Sequence, residues 1–229
     1  MPGDFDNMLR YCAELEQNNN RTWFHENHKQ YERAVADFVE LLGLLKFAVA
    51  EAAPDIRDGL IFTEPKAMMY RIPRDARIHN GKPPYNPSFR AYISADRKSM
   101  RPIGYFLRIA PNGCLFGTGL WLEKGTEVYA ARRLMLSRQF ELAELLVDNG
   151  LTVTGPTLKR MPAGFDENSP VADLLKMKEW FASVEPDSAA LGGFDDFADA
   201  VTEWVRRMEP LRLFFMQAHA AAQSGELNY

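Results

Sequence analysis

From Tyr31 to Val49 apolar residues recur at three- and four-residue steps, through Val35, Phe38, Leu42 and Leu45. That spacing predicts one amphipathic helix running to about Glu51. Asn19 or Asn20 is placed to cap its start, and Pro54 follows its end. A shorter helix from about Asp6 to Glu16 completes a helical region over residues 1–53. Between residues 61 and 122 the period changes. Short β-prone runs separated by Pro, Gly and Asn predict strands near 66–72, 89–94, 103–110 and 114–122.

The clearest local signal there is Pro111-Asn112-Gly113-Cys114. Asn-Gly at the centre predicts a two-residue type I′ hairpin, with Pro111 opposite Cys114. Counting from that turn sets Arg108 opposite Gly117 and Phe106 opposite Gly119, all on one face. The other face then carries Ile103, Tyr105, Leu107 and Ile109 with Phe116, Thr118, Leu120 and Leu122, and is the expected core.

After Glu123 the pattern returns to helix, in one or two pieces from Thr126 to about Asn149. A short β segment is expected at Leu151 to Thr154, and an ordered loop from Gly155 to Asn168. Ser169-Pro170 reads as the N-cap and first position of a helix through Trp180. A last helix runs from near Gly193 to about Ala222, with a bend or break expected at Pro210. Without repeats, low-complexity tracts or an evident linker, residues 1–229 are expected to form a single domain, helical over 1–53, mainly β over 61–122 and mainly helical over 123–229. The expected fold class is α+β, an antiparallel sheet of about 4–6 strands packed with N-terminal and C-terminal helices.

Composition changes this picture little. With 46% hydrophobic and 25% charged residues the chain reads as an ordinary globular protein. No apolar run approaches the roughly 20 residues that span a bilayer, so no membrane partner is expected. The acidic start, MPGDFDNML, does not fit a signal peptide, and Cys12 and Cys114 form no CxxC pair. A cytoplasmic location is the expectation.

Charge changes it more. Residues 66–101 hold nine cations against two anions, a net +7 inside a chain of −4, which leaves −11 for the remainder. Clustered guanidinium groups attract carboxylate and phosphate. Within this segment Arg71, Arg74 and Arg77 precede Lys82 and Tyr85 around a Pro-bounded loop, and Asp75 sits beside Arg74. The expected use is an anion site, with Tyr85 adding a hydroxyl donor. The competing use is a salt-bridge network tying the loop to acidic helices. Arg108, Gly117 and Gly119 join the candidate site because glycines on a strand leave room for close approach. A helix packed over those glycines is the competing explanation.

Several chemistries are not expected. The GxG at Gly117 to Gly119 lies inside a strand, so neither a dinucleotide fingerprint nor a P-loop is supported, and no cofactor is expected. His25 and His28, with Glu26 and Glu32 nearby, have helical spacing but no evident further ligands, so no metal is expected. Trp23 and Phe24 read as core anchors. There is no G-x-S-x-G, and neither cysteine has a histidine close in sequence. Asp75 and Tyr85 are the catalytic candidates as general acid or base.

Four blocks together resemble a known family: Asn19-Asn20-x-x-Trp23-Phe24 with Tyr31; R-x-x-R-D-x-R-(x)4-K-x-P-Y from Arg71 to Tyr85; G-x-G-x-W at Gly117 to Trp121; and L-K-R-x-P-x-G-F from Leu158 to Phe165. The family is widespread in bacteria and known only as a domain of unknown function. Ile78 stands where the family usually has Phe, and His79-Asn80-Gly81 replaces a more charged segment. The resemblance implies no catalytic activity. The expectation is therefore a protein that binds, or binds and processes, an anionic small molecule bearing phosphate or carboxylate. The alternative is an interaction module that docks an acidic protein or nucleic acid through the basic segment. Nucleic acid is disfavoured by the acidic remainder, and a homodimer rests on base rates alone.

Overall fold

In a computed structural model, described for residues 5–75, 81–96, 100, 103–187 and 192–224, the chain is α+β. Arg77, a candidate ligand residue, lies outside the described residues, as do Arg97, Lys98 and Arg101 of the basic segment. The chain forms two compact units, Met1–Phe116 with Val184–Glu203, and Gly117–Ser183 with Trp204–Tyr229.

The first unit starts with three helices, α1 (Asp6–Gln17), α2 (Arg21–Glu26) and α3 (His28–Ala52). The single helix expected from Asn20 onward is broken at Asn27. Its side-chain amide donates to Trp23 O at 2.9 Å, taking up a helical carbonyl from the side and ending the run. Asn20 is the N-cap of α2, accepting from Trp23 N–H at 3.0 Å. The stripe predicted from periodicity is the buried face of α3, where Phe38, Leu42, Leu45 and Val49 are inaccessible to solvent. Met8, Tyr11, Cys12 and Leu15 of α1 join them.

After a 3-10 turn at Pro54–Ile56 come two short helices, α4 (Arg57–Ile61) and α5 (Pro65–Met68). The strand expected at 66–72 does not form. Pro65 opens one helical turn, and the chain then runs extended with only isolated bridges, Met69 to Ala91 and Pro73 to Tyr85. Three strands follow, β1 (Phe89–Ile93), β2 (Tyr105–Ala110) and β3 (Gly113–Leu120). β1 and β2 are antiparallel, with Phe89, Ala91 and Ile93 opposite Ile109, Leu107 and Tyr105. All six are buried, and Phe89 packs on Phe38 of α3 at 5.2 Å.

The β2–β3 turn differs from the expected type I′. It occupies Pro111 and Asn112, and the positive φ falls on Gly113 (129°) and not on Asn112. Proline presets φ for the first central position of an ordinary turn, which moves the turn one residue earlier than Asn-Gly alone suggests. This is one residue earlier than the turn from which Gly117 was counted opposite Arg108 and Gly119 opposite Phe106. The division into faces holds. Tyr105 stacks on Phe116 at 5.3 Å, Leu107, Ile109, Thr118 and Leu120 are buried, and Arg108 is on the other side of β2.

The second unit takes up the end of β3 and continues through α6 (Gly125–Ser137), α7 (Gln139–Asp148), β4 (Val153–Thr154), α8 (Ala172–Lys176) and β5 (Trp180–Val184). The helix expected through Trp180 stops at Lys176. Trp180 folds back, donating its indole N–H to Leu174 O at 2.9 Å, and β5 starts there. Arg132 of α6 donates to Met177 O at 2.7 Å, and Phe165 packs edge-on to Tyr129 at 5.3 Å, which orders the intervening loop. Among the described residues the strands form an antiparallel sheet in the order β1-β2-β3-β5-β4. The last helix, α9 (Phe194–Ser224), runs unbroken through Pro210, where a bend or break was expected. Among the described residues no helix is long and apolar enough to cross a membrane.

Both cysteines are buried and unpaired, and burial pushes each thiol up to about 12 from an ordinary value of 9.0. The unfolded chain releases these protons first, so the thiols contribute stability that is full below pH 9.0 and lost as pH rises toward 12. Unfolding free energy measured from pH 7 to 11 is expected to fall above about pH 9. A Cys12→Ala, Cys114→Ala double variant is expected to show a shallower fall. An equal fall in parent and variant would assign it to other groups.

Candidate functional site

The site grows from the β1–β2 register. The register sets Arg90 directly opposite Arg108, on the side of the strands away from Phe89, Ala91 and Ile93. Like charges facing across a sheet repel, typically by a few tenths to about 1 kcal/mol. A third arginine joins them. The chain before and after the 76–80 segment is zipped together, with Arg74 N–H donating to Pro84 O at 2.8 Å and Asn86 N–H to Ile72 O at 2.9 Å.

That zipper is fixed from outside by Asn19. Its side-chain amide donates to Tyr85 O and accepts from Tyr85 N–H, both at 3.0 Å, as a strand neighbour would. The Tyr85 ring is buried and stacks on Phe24 at 4.1 Å, nearly parallel. Phe24 in turn packs on Tyr31 at 5.2 Å, and Trp23 on Tyr11 at 5.8 Å.

Arg74, Arg90 and Arg108 line one cavity of about 290 Å³, with Glu16 the single carboxylate among the described residues that line it and Asn86, Ser88 and Asn112 among its walls. All three arginines are half-buried. Arg108 Nη1 donates to Asn112 Oδ1 at 3.2 Å, and Arg90 Nη2 to Arg71 O at 3.2 Å. The Nε atoms of Arg74 and Arg90 are buried with no hydrogen-bond partner, and among the described residues none of the three guanidinium groups is ion-paired. Burial and then the Arg74 charge hold the Arg90 guanidinium below its ordinary pKa. Arg108 also borders a neighbouring concavity that contains Glu185 and Asp187. Chemically, this arrangement offers guanidinium donors to an anion, with an excess of positive charge over the carboxylate present.

The other candidates are placed differently. Arg71 is exposed and lines a separate cavity, so it does not converge with Arg74. The chain bends at buried Ile72 between the two residues. Lys82 and Asp75 are exposed and line neither cavity. Tyr85 is an anchor under Phe24 and not a donor beside the arginines. Gly117 and Gly119 border no open space. A Cβ on Gly117 would overlap the Ala182 carbonyl oxygen and lie 2.7 Å from Phe181, and one on Gly119 would lie 2.5 Å from Trp180 O. They are covered by β5 and the Phe181 ring, neither by a ligand nor by a helix. Arg90 is the residue missed, although its place on an alternating Phe-Arg-Ala-Tyr-Ile strand was the signal.

His25 and His28 both meet Phe24 edge-on at 6.2 Å, and His28 Nδ1 is 3.5 Å from Glu32 Oε1. Among the described residues no three metal-ligating side chains come together.

With this α+β fold and its arginine cavity described, comparison with known proteins places the chain. It belongs to the conserved hypothetical protein family DUF2461, whose signature matches residues 7–214. No curated protein and no solved structure matches it.

The packing of the glycines is directly testable. Gly117→Ala is expected to destabilise the fold by about 1–3 kcal/mol in a urea titration, because the added methyl meets backbone that cannot move aside. A neutral result would mean that the space above β3 is open.

Proposed function

We propose that this protein binds an anionic small molecule, bearing phosphate or carboxylate, at the cavity lined by Arg74, Arg90 and Arg108. The observation that carries the reading is the convergence of three half-buried guanidinium groups, two with an unpartnered buried Nε; among the described residues that line the cavity Glu16 is the one carboxylate, and it pairs with none of them. Burying like charge without a counter-charge is costly, and an anion bound in bidentate fashion relieves both the repulsion and the missing hydrogen bonds. A structural salt-bridge network would instead supply a carboxylate to each arginine. The concave form of the site supports a small ligand over a flat docking face for an acidic protein or nucleic acid. Asp75 and Tyr85 stand outside the cavity, so the reading is one of binding, with Glu16 the only carboxylate among the described residues that line it.

Arg74→Ala separates the two uses. In anion-free buffer the variant is expected to melt at or above the parent temperature, since a repulsive charge is removed. Inorganic phosphate is expected to stabilise the parent by mass action, by about 2.7 kcal/mol at a hundredfold excess over Kd, raising its melting temperature, and to leave that of Arg74→Ala unmoved. A structural arginine would behave in the opposite way: the variant would lose roughly 3–5 kcal/mol, as when a buried pair is broken, and phosphate would leave the parent unchanged.

A further inference from the structure

The arginine cavity has an apolar neighbour. A concavity of about 720 Å³, the size of a small-molecule site, is walled by Val35, Ala36 and Val39 of α3 on one side and by Ala67, Met69 and Tyr70 on the other. No residue of the anion site lines it, yet the two meet at a single contact. The Arg90 guanidinium lies over the Tyr70 ring, 5.7 Å from its centroid, and donates to the backbone of Arg71. Tyr70 is also 6.3 Å from Phe106, which shares a face of β2 with Arg108 two residues away. Half-buried aromatic surface therefore adjoins the guanidinium groups. Lys66, Arg71 and Glu32 also line the larger cavity, which leaves it a positive charge in excess among its described lining residues.

An inorganic anion would use none of this apolar wall. We infer that the ligand is an organic anion, an aromatic phosphate or carboxylate, whose charged group sits on Arg74, Arg90 and Arg108 and whose flat apolar body lies along Tyr70 into the cavity beside α3. The inference rests on the anion-binding reading above and adds the class of molecule. Its physical basis is that a ring removed from water against Tyr70, Val35 and Val39 gains affinity in proportion to the area it buries, while the arginines fix its orientation.

The test is titration calorimetry on the full chain with two probes, inorganic phosphate and phenyl phosphate. Phenyl phosphate is expected to bind at least about tenfold more tightly, the effect of burying roughly one ring edge. Tyr70→Ala is expected to reduce that advantage. Because Tyr70 also supports Arg90, a second variant is needed. Ala36 is exposed on α3, so Ala36→Trp fills the cavity without disturbing the core. It is expected to abolish the preference for phenyl phosphate and leave the affinity for inorganic phosphate unchanged. Equal binding of the two probes by the parent, or a preference that survives Ala36→Trp, would overturn the inference while leaving the anion site intact. If neither probe binds the parent, the anion reading itself falls, and this inference with it.

Discussion

The antiparallel register of β1 on β2 is the constraint on which the rest depends. It puts Phe89, Ala91 and Ile93 against Ile109, Leu107 and Tyr105, a six-residue apolar face that packs toward α1 and α3. The same register leaves no choice on the reverse face, where Arg90 must oppose Arg108. Slipping the pairing by one residue would separate the arginines but expose the whole apolar face. The hydrophobic term is far larger than one cross-strand repulsion, so the core holds the two charges together. Like-charge proximity here follows from burial on the opposite side of the sheet.

Arg74 is held there by a different set of forces. It belongs to no regular element, and its position depends on the zipper from Ile72 to Asn86 and on Asn19, which satisfies both backbone groups of Tyr85. Stacking of Tyr85 on Phe24 fixes the far side of the loop to α2. The Asn-Asn-x-x-Trp-Phe block and the Arg-rich block, joined by Asn19 and Tyr85 across 66 residues of sequence, thus work together. Asn20 starts the helix that presents Phe24, Asn19 clamps Tyr85, and the clamp places Arg74 beside β1. Unpaired guanidinium groups on such a frame cost stability, a cost that the proposed anion would offset.

Much of this was legible in the sequence, for reasons that particular residues make plain. Helical periodicity identified the buried face of α3 because Phe38, Leu42 and Leu45 recur at the helical step. The alternation of β2 identified its core face for the same reason. What failed were features set by one residue's competing preference: Asn27 ending α2 with its side chain, Pro111 claiming the first turn position, and Pro65 opening a helical turn where a strand was expected. The basic segment was visible in the charge pattern, but its membership in a site was not. Arg90 and Arg108 meet through a register across a connection of 11 residues, Ser94 to Gly104, for which no local turn rule applies. Gly117 and Gly119 signalled close approach correctly, and only tertiary structure could show that the approaching group is β5.

The central claim is that Arg74, Arg90 and Arg108 share an anion. A crystal of the full chain soaked in tungstate, an electron-dense phosphate mimic, tests it most directly. The account predicts one ordered tungstate in the cavity, within hydrogen-bonding distance of at least two of the three guanidinium groups and including the Nε of Arg74 or Arg90. A cavity without tungstate, with Glu16 or another carboxylate ion-paired to the arginines instead, would contradict it.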